Sequence, residues 1–316
     1  MSKAQGLRFA QLSDPHLTSL DGVRWQQLMN KRVLGYLSWR HRRRDEHRGE
    51  VLDALMRDLR SIRPQHIVVT GDLTQIGLPV EFRQARLWLD RLGDPERVTV
   101  VPGNHDAYVR ASWAATFSLW EPYMRSDADV RGAQAAGRLL FPSLRVRDGV
   151  AFIGLSSATP SAPFLATGAL GSEQLQRLRR LLRETRERQL FRVLLLHHPA
   201  REQDEKWRKR LTDGDALCEL LQQEGAELVL HGHSHRSTEV SISHGGHEIP
   251  VFGIPSSSAI GRRPGRRASY HLYQVQREGD HWSLQVEVRG YRIDSGSFVR
   301  QHERQLSLPV ISSTSR

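Results

Sequence analysis

Five short segments of this 316-residue chain place histidine, aspartate or asparagine beside glycine or proline. They read Ser13-Asp14-Pro15-His16, Gly71-Asp72, Gly103-Asn104-His105-Asp106, His197-His198-Pro199 and His231-Gly232-His233-Ser234-His235. Imidazole and carboxylate groups are ligands for cations such as Zn, Mn and Fe. Cys218 is the only cysteine, which excludes a cysteine-based zinc cluster and an intramolecular disulfide. The residue types therefore predict a metal site with nitrogen and oxygen ligands.

The spacing within two of these segments strengthens that prediction. Asp14 and His16 stand two residues apart, as do His233 and His235. In an extended segment alternate side chains share a face, so we expect both members of each pair to reach one metal cluster. Any one segment alone is commonly a loop, but five of them in order, each after an apolar run, favour a shared site.

The elements that must position these residues alternate between short apolar strands and amphipathic helices. The periodicity predicts strands at 7–12, 66–70, 97–101, 150–155, 191–196 and 226–230, and helices at about 50–62, 79–92, 112–124, 172–189 and 213–223. After Pro250 only strands are expected, most clearly at 271–276 and 282–293. This order indicates a layered α/β domain, in which ligands bind beyond the carboxyl ends of the strands.

The five segments, taken together, resemble the motif blocks of the calcineurin-like metallophosphoesterases. The resemblance spans residues 14–235 and implies a four-layer α/β/β/α sandwich that carries two divalent or transition metal ions, either Mn, Fe or Zn. It implies that Asp14, His16 and His235 hold one ion, that Asn104, His197 and His233 hold the other, and that Asp72 bridges them. His105 would stabilise the transition state or protonate the leaving oxygen. Asp106, His198 and His231 would support the ligands from behind.

The resemblance also implies a reaction, in which a metal-bound hydroxide attacks a phosphodiester or pyrophosphate bond. The sequences of these motif blocks are similar to those of one branch of the family. That branch contains cyclic-nucleotide and glycerophosphodiester phosphodiesterases and lipid-precursor pyrophosphatases. We therefore expect a small or lipid-linked substrate. Two alternatives stay open at this point: a nuclease acting on DNA or RNA, and a catalytically idle scaffold associated with a membrane.

The positive charge of the chain is concentrated in two places. The formal net charge is +11, and much of the excess lies in residues 24–48 and 262–267. Trp25, Leu28, Met29, Val33, Tyr36 and Leu37 predict a helical stripe, which Trp39-Arg40-His41-Arg42-Arg43-Arg44 follows. Such a segment is typical of helices that lie on an anionic membrane surface or bind a lipid-linked substrate, here through Trp25, Trp39 and Arg42–Arg44. The other interpretations are packing on the domain with a solvated arginine face, and contact with nucleic acid, which is the less favoured partner.

The chain is expected to form a single domain over residues 1–300. We expect a basic helical insertion at about 22–48, a β-rich part from about 250, and a flexible tail at 301–316. No apolar run approaches the ~20 residues that span a bilayer, and the first residues lack a signal sequence. We therefore expect a cytoplasmic protein whose basic segment can contact the inner face of a membrane. The oligomeric state is left open.

Overall fold

The computed structural model describes residues 6–17, 19–128, 140–201, 205–262 and 265–311, without the side chain of Arg42. The strands are β1 (Leu7–Leu12), β2 (His66–Val69), β3 (Val98–Val100), β4 (Ser143–Arg147), β5 (Val150–Gly154), β6 (Phe191–Leu195), β7 (Leu228–His231), β8 (Thr238–His244), β9 (His247–Gly253), β10 (Ser269–Glu278), β11 (His281–Arg292) and β12 (Ser297–Pro309). The α-helices are α1 (Arg32–Ser38), α2 (Gly49–Ile62), α3 (Pro79–Leu92), α4 (Glu121–Met124), α5 (Ser172–Glu187) and α6 (Gly214–Glu224).

The strands form two six-stranded mixed sheets. The first has the order β12-β11-β10-β1-β2-β3, and the second has the order β4-β5-β6-β7-β9-β8. Strands β1, β2 and β3 run parallel in the first sheet, and β5, β6, β7 and β9 run parallel in the second. The carboxyl ends of the parallel strands in each sheet therefore lie at one edge.

Alternation along each strand builds the layers. In β1, Leu7 and Phe9 join the core between the two sheets, whereas Leu12 packs with the helices α2 and α3. In β6, Phe191 lies in the core between the sheets and Leu194 packs with α5 and α6. Each sheet thus buries one face against the other sheet and one face against helices, which confirms the four-layer α/β/β/α sandwich.

Two of the expected helices are wrong in detail. The helix expected at 112–124 is broken into two 3₁₀ turns, Trp113–Ala115 and Phe117–Leu119, and the short α4, because Thr116 between the turns has non-helical backbone angles. The single helix expected in the insertion is a 3₁₀ turn at Trp25–Leu28, then α1, then a π-helical turn at Trp39–Arg43.

Among the described residues no helix is long and apolar enough to cross a bilayer.

The expectation of a flexible tail at the end of the chain is also wrong in part. Residues 301–309, expected within a flexible tail at 301–316, form most of β12, which pairs with β11 from Arg292↔Ser297 to His281↔Pro309. Backbone pairing in a long hairpin holds this segment, although its exposed side chains are mostly polar. Residues 312–316 of the expected tail lie outside the described residues.

Candidate metal centre

The polar segments follow strands of both sheets, and hydrogen bonds join them where the strands end. Within the first sheet, Asp14 N donates to Gly71 O at 3.0 Å. Across the two sheets, His233 N donates to Asp14 Oδ2 at 3.1 Å. The sandwich therefore brings residues from distant parts of the sequence to a common site.

One group of predicted ligands comprises Asp14, His16, Asp72 and His235. Their candidate ligand atoms all lie within 4.8 Å of one another. His235 Nε2 lies 3.1 Å from Asp14 Oδ1 and 3.4 Å from His16 Nε2, and His16 Nε2 lies 4.0 Å from Asp72 Oδ2. This cluster of carboxylate oxygens and imidazole nitrogens has the composition of a cation site.

The second group is centred on His197. Its Nε2 atom lies 3.1 Å from Asn104 Oδ1, 3.3 Å from His233 Nδ1 and 3.3 Å from Asp72 Oδ2. Asp72 is thus adjacent to both groups, as a bridging carboxylate would be. The structure brings all seven predicted ligands together.

The free atoms of these side chains point into the cluster. His16 Nδ1 is bound to Thr74 O at 2.9 Å and His197 Nδ1 to Thr70 O at 2.7 Å, so each ring has its Nε2 atom towards the site. Asp14 Oδ1 is buried with His235 Nε2 3.1 Å away, and His233 Nδ1 faces His197 Nε2 at 3.3 Å. Candidate ligand atoms that approach one another this closely fit a pair of bound cations.

The backbone at the site differs from the extended form expected from the sequence. Five ligand residues adopt positive φ, namely Asp14 (49°), His16 (42°), Asp72 (57°), His233 (67°) and His235 (50°). Non-glycine residues rarely occupy this left-handed region, and such strain concentrates at functional sites. The pairs two residues apart do share the cluster, but through left-handed turns and not through strand alternation.

Two glycines leave room for the carboxylates. A Cβ atom at Gly103 would overlap Asp72 Oδ1, and one at Gly232 would overlap Ser13 Oγ and approach Asp14 Oδ2. Ser13 Oγ donates a hydrogen bond to Asp14 Oδ2 at 2.5 Å. Any larger residue at either position would displace a carboxylate from the cluster.

Asp106 supports the site from behind. Its carboxylate accepts hydrogen bonds from the backbone N–H groups of Asp72, Thr74 and Gly103 and from the Thr74 hydroxyl, at 2.9–3.0 Å. Burial and the neighbouring charge of Asp72 raise the pKa of Asp106 to about 7. One side chain therefore joins the segments after β2 and β3.

The electrostatics of the cluster favour positive charge beside Asp72. Although burial opposes protonation, the Asp72 carboxylate raises the pKa of His197 to about 9. His197 in turn holds the pKa of Asp72 well below its usual value despite burial. Burial lowers the pKa of His16 to about 4, so this ring is a neutral ligand at neutral pH. A bound cation would compensate the negative charge of Asp72, as the charged His197 ring does here.

His105 lies beside the cluster and is not among the mutually close ligand atoms. Its Nδ1 donates to Gln75 O at 2.5 Å, and its Nε2 lies 4.0 Å from Asp72 Oδ2. Arg43 Nη1 lies 3.1 Å from both ring nitrogens. Burial lowers the pKa of the Arg43 guanidinium. Both side chains can act on a ligand that enters the centre.

The two remaining predicted histidines have other partners. His198 binds Ser157 Oγ through Nδ1 at 2.7 Å and Ala166 O through Nε2 at 3.1 Å, so both of its ring nitrogens are occupied. Its ring centroid lies 4.4 Å from that of His233, and the two rings are tilted by 44°. His231 Nδ1 binds Gly232 O at 3.0 Å. Both residues lie behind the ligands and hold their loops.

The insertion divides its predicted contact residues between the interior and solvent. Trp39 is buried against Leu20, Ile76 and Leu78, whereas Trp25 is 69% exposed. Arg43 points to His105, while Arg44 is exposed and pairs with Asp21 at 3.1 Å. The side chain of Arg42 lies outside the described part of the structure.

The sequence did not single out His47, which lies in the same insertion. Its ring centroid lies 4.6 Å from that of His16 and 5.8 Å from that of His235. His47 comes shortly after the arginine run and lies outside the five motif segments. The sequence around it therefore gave no indication that it belongs to the site.

Comparisons with known proteins bear on the fold. A family model described as calcineurin-like phosphoesterase matches residues 7–237, while no curated protein matches the sequence. The chain is similar to the crystal structure of a dimetal phosphatase from Danio rerio, with a TM-score of 0.61 and 14% identity over 97% of this chain and 100% of that chain. It is also similar, at a TM-score of 0.45 and 16% identity, to sulfate thiohydrolase SoxB from Thermus thermophilus, over 100% of this chain and 59% of that one. The Danio rerio structure supports the fold.

Proposed function

The chain belongs to the calcineurin-like phosphoesterase family, and we propose that it hydrolyses a phosphodiester or pyrophosphate bond in a small or lipid-linked substrate. The convergence of six other nitrogen and oxygen ligands around Asp72 carries this proposal. Asp14, His16 and His235 would hold one divalent ion, Asn104, His197 and His233 a second, and Asp72 both. When bound, two such ions neutralise phosphoryl oxygens and lower the pKa of water.

Arg43 is suited to bind the phosphoryl group of the substrate. Its guanidinium contacts a histidine ring and the carbonyl of Gly35, and its Nε atom is buried without a partner. No ion pair of Arg43 occurs among the residues that the structure describes. Because a buried charge is costly unless an opposite charge compensates it, an anionic phosphoryl oxygen is the expected partner.

His105 is placed to protonate the leaving oxygen from Nε2 once the ring has taken up a second proton there, since its first proton is held on Nδ1. The bond from its Nδ1 to Gln75 O fixes the ring, and the remaining nitrogen, Nε2, lies on the side of Asp72. A substrate held by Arg43 would therefore meet His105 Nε2 next to the bond that breaks. The preference for a diester or pyrophosphate rests on the resemblance of the five segments to that branch of the family.

A substrate panel with matched variants tests the function. We expect the Mn-loaded protein to hydrolyse a cyclic nucleotide, a glycerophosphodiester or a nucleotide-sugar pyrophosphate, and Asp72→Asn and His105→Ala to abolish turnover while remaining folded by circular dichroism. The exposed Asp53→Asn is the control and should retain activity. Near-native turnover by either site variant would contradict the assignment, and cleavage of single-stranded DNA alone would favour a nuclease.

We further propose that the insertion contacts an anionic lipid surface, which would present a lipid-linked substrate to the site. Trp25, Met29, Val33 and Leu37 are spaced four residues apart and are 69%, 67%, 42% and 46% exposed. Arg40 is exposed in the same segment. Apolar anchors beside basic side chains are typical of interfacial membrane segments.

Vesicle flotation tests this contact. The protein should float with phosphatidylcholine vesicles that contain phosphatidylserine and not with phosphatidylcholine alone, and the double substitution Trp25→Ser and Met29→Ser should abolish flotation. Leu87→Ser removes an equally exposed apolar side chain from α3 and serves as the control. Equal flotation of all three proteins, or none by the wild type, would discard the contact.

A further inference from the structure

We propose that His47 is an additional ligand of the ion that Asp14, His16 and His235 hold. This inference rests on the proposed dimetal function and adds to it a ligand from outside the five motif segments. The candidate ligand nitrogens of His16, His47 and His235 all lie within 4.8 Å of one another. His47 approaches the group from the insertion, whereas the other ligands follow strands.

Backbone contacts fix His47 in this position. The residue forms an isolated β-bridge with Ala259. On either side of it, Arg48 N donates to Ser258 O at 3.0 Å, and Ile260 N donates to Glu46 O at 2.9 Å. The end of the insertion is therefore tied to the loop after β9, and the ring stays beside the ligands without the help of any metal.

The hydroxyl groups beside His47 indicate which of its ring nitrogens carries the proton. Ser256 Oγ lies 2.6 Å from Asp14 O, and a carbonyl only accepts, so this hydroxyl donates its proton there. Ser258 Oγ lies 3.2 Å from Ser256 Oγ and 2.8 Å from His47 Nδ1. When both hydroxyl contacts are taken as hydrogen bonds, His47 Nδ1–H donates to Ser258 and Ser258 donates to Ser256. The proton then sits on Nδ1, and the lone pair sits on Nε2.

This arrangement matches the way that the predicted ligands are built. His16 and His197 likewise have Nδ1 bonded to an oxygen atom, which in their case is a backbone carbonyl, and leave Nε2 for a cation. Outer hydrogen bonds of this kind orient metal-binding imidazoles. A histidine that only packed against His16 would need no fixed tautomer. Because His47 belongs to the insertion, binding of the ion would also attach that segment to the metal centre.

Nitrogen NMR of the zinc-loaded wild type tests the proposal directly. Zn²⁺ is diamagnetic, and coordination shifts the ¹⁵N resonance of the bound ring nitrogen. The signals of His47 are identified by their absence from His47→Gln. We expect the His47 Nε2 resonance to shift together with those of His16 and His235. Shifts of His16 and His235 with an unmoved His47 would overturn this inference and leave the metal centre standing. Unmoved signals from all three would overturn both.

Calorimetric titration of the metal-free protein with Zn²⁺ or Mn²⁺ is the second measurement. His47→Gln should weaken the binding of one ion at least tenfold, by analogy with the 10–100-fold losses that follow removal of outer partners. His41→Gln is the matched control, since His41 is exposed in the same insertion. Affinities for both ions within twofold of the wild type in His47→Gln would overturn the proposal.

Discussion

Asp106→Asn should destabilise the protein although it changes only one atom of the side chain. Asp106 Oδ2 accepts from the N–H groups of Asp72 and Gly103, and Oδ1 accepts from the N–H and hydroxyl of Thr74. An asparagine amide would direct its own NH₂ group at one or more backbone N–H groups in either orientation. The substitution therefore leaves a buried donor unpaired whichever way the amide turns.

The magnitude follows from these bonds. In the less costly orientation the NH₂ group faces Thr74, whose hydroxyl can still donate to His105 O at 2.9 Å, so a single backbone N–H loses its partner. An unpaired buried donor costs about 1–3 kcal/mol. The neutral amide also loses the assistance of a negative charge to the other bonds, but it is relieved of the burial and repulsion that raise the Asp106 pKa to about 7, and these two effects oppose each other. We expect a loss of about 1–3 kcal/mol in the free energy of unfolding.

Urea denaturation of the metal-free protein at pH 8 measures this loss, because that pH lies above the pKa of about 7 to which burial raises Asp106. Asp53→Asn removes an exposed carboxylate and should change stability by less than about 0.5 kcal/mol. Asp106→Asn should also weaken metal binding about 10–100-fold, since the ligand loops lose their support. Wild-type stability together with wild-type metal affinity would refute the reasoning.

Three further predictions concern separate parts of the molecule. Arg43→Met should lower kcat/KM about 10²–10³-fold for a soluble diester by removing a donor to the phosphoryl group, with the exposed Arg57→Met unchanged; full turnover would exclude that contact. Burial lowers the pKa of His271 from 6.5 to about 4, so the unfolded chain binds a proton between these values that the folded protein does not. The free energy of unfolding of the wild type should thus fall by up to ~3 kcal/mol more than that of His271→Leu between pH 6.5 and 4, whereas parallel pH curves would contradict this. Gly232→Ala should displace the Asp14 carboxylate and weaken binding of metal at least tenfold by calorimetry, and unchanged affinity would show that the loop yields.

Local sequence patterns were sufficient to predict the layers and to identify the polar segments that meet at the site. Short apolar runs in β1 and β6 marked strands that are buried on both faces, and α2 ends at Ile62 because Arg63 turns left-handed before Pro64. The polar segments were recognisable because glycine, proline and ligand-type residues stand directly after apolar runs. Parallel strands then require these segments to meet at one edge of each sheet, whatever the detailed packing.

Only the tertiary structure shows the contacts between segments that share no local sequence pattern. The orientation of His47 depends on hydroxyl groups at Ser256 and Ser258, about 210 positions away in the chain. Only the packing of the insertion shows that Arg43 points to the site and Arg44 to solvent. Residues 301–309 are polar in composition and yet form a strand, because β11 supplies their hydrogen-bond partners. Periodicity reports which face of an element is buried, whereas these features depend on which distant element lies against it.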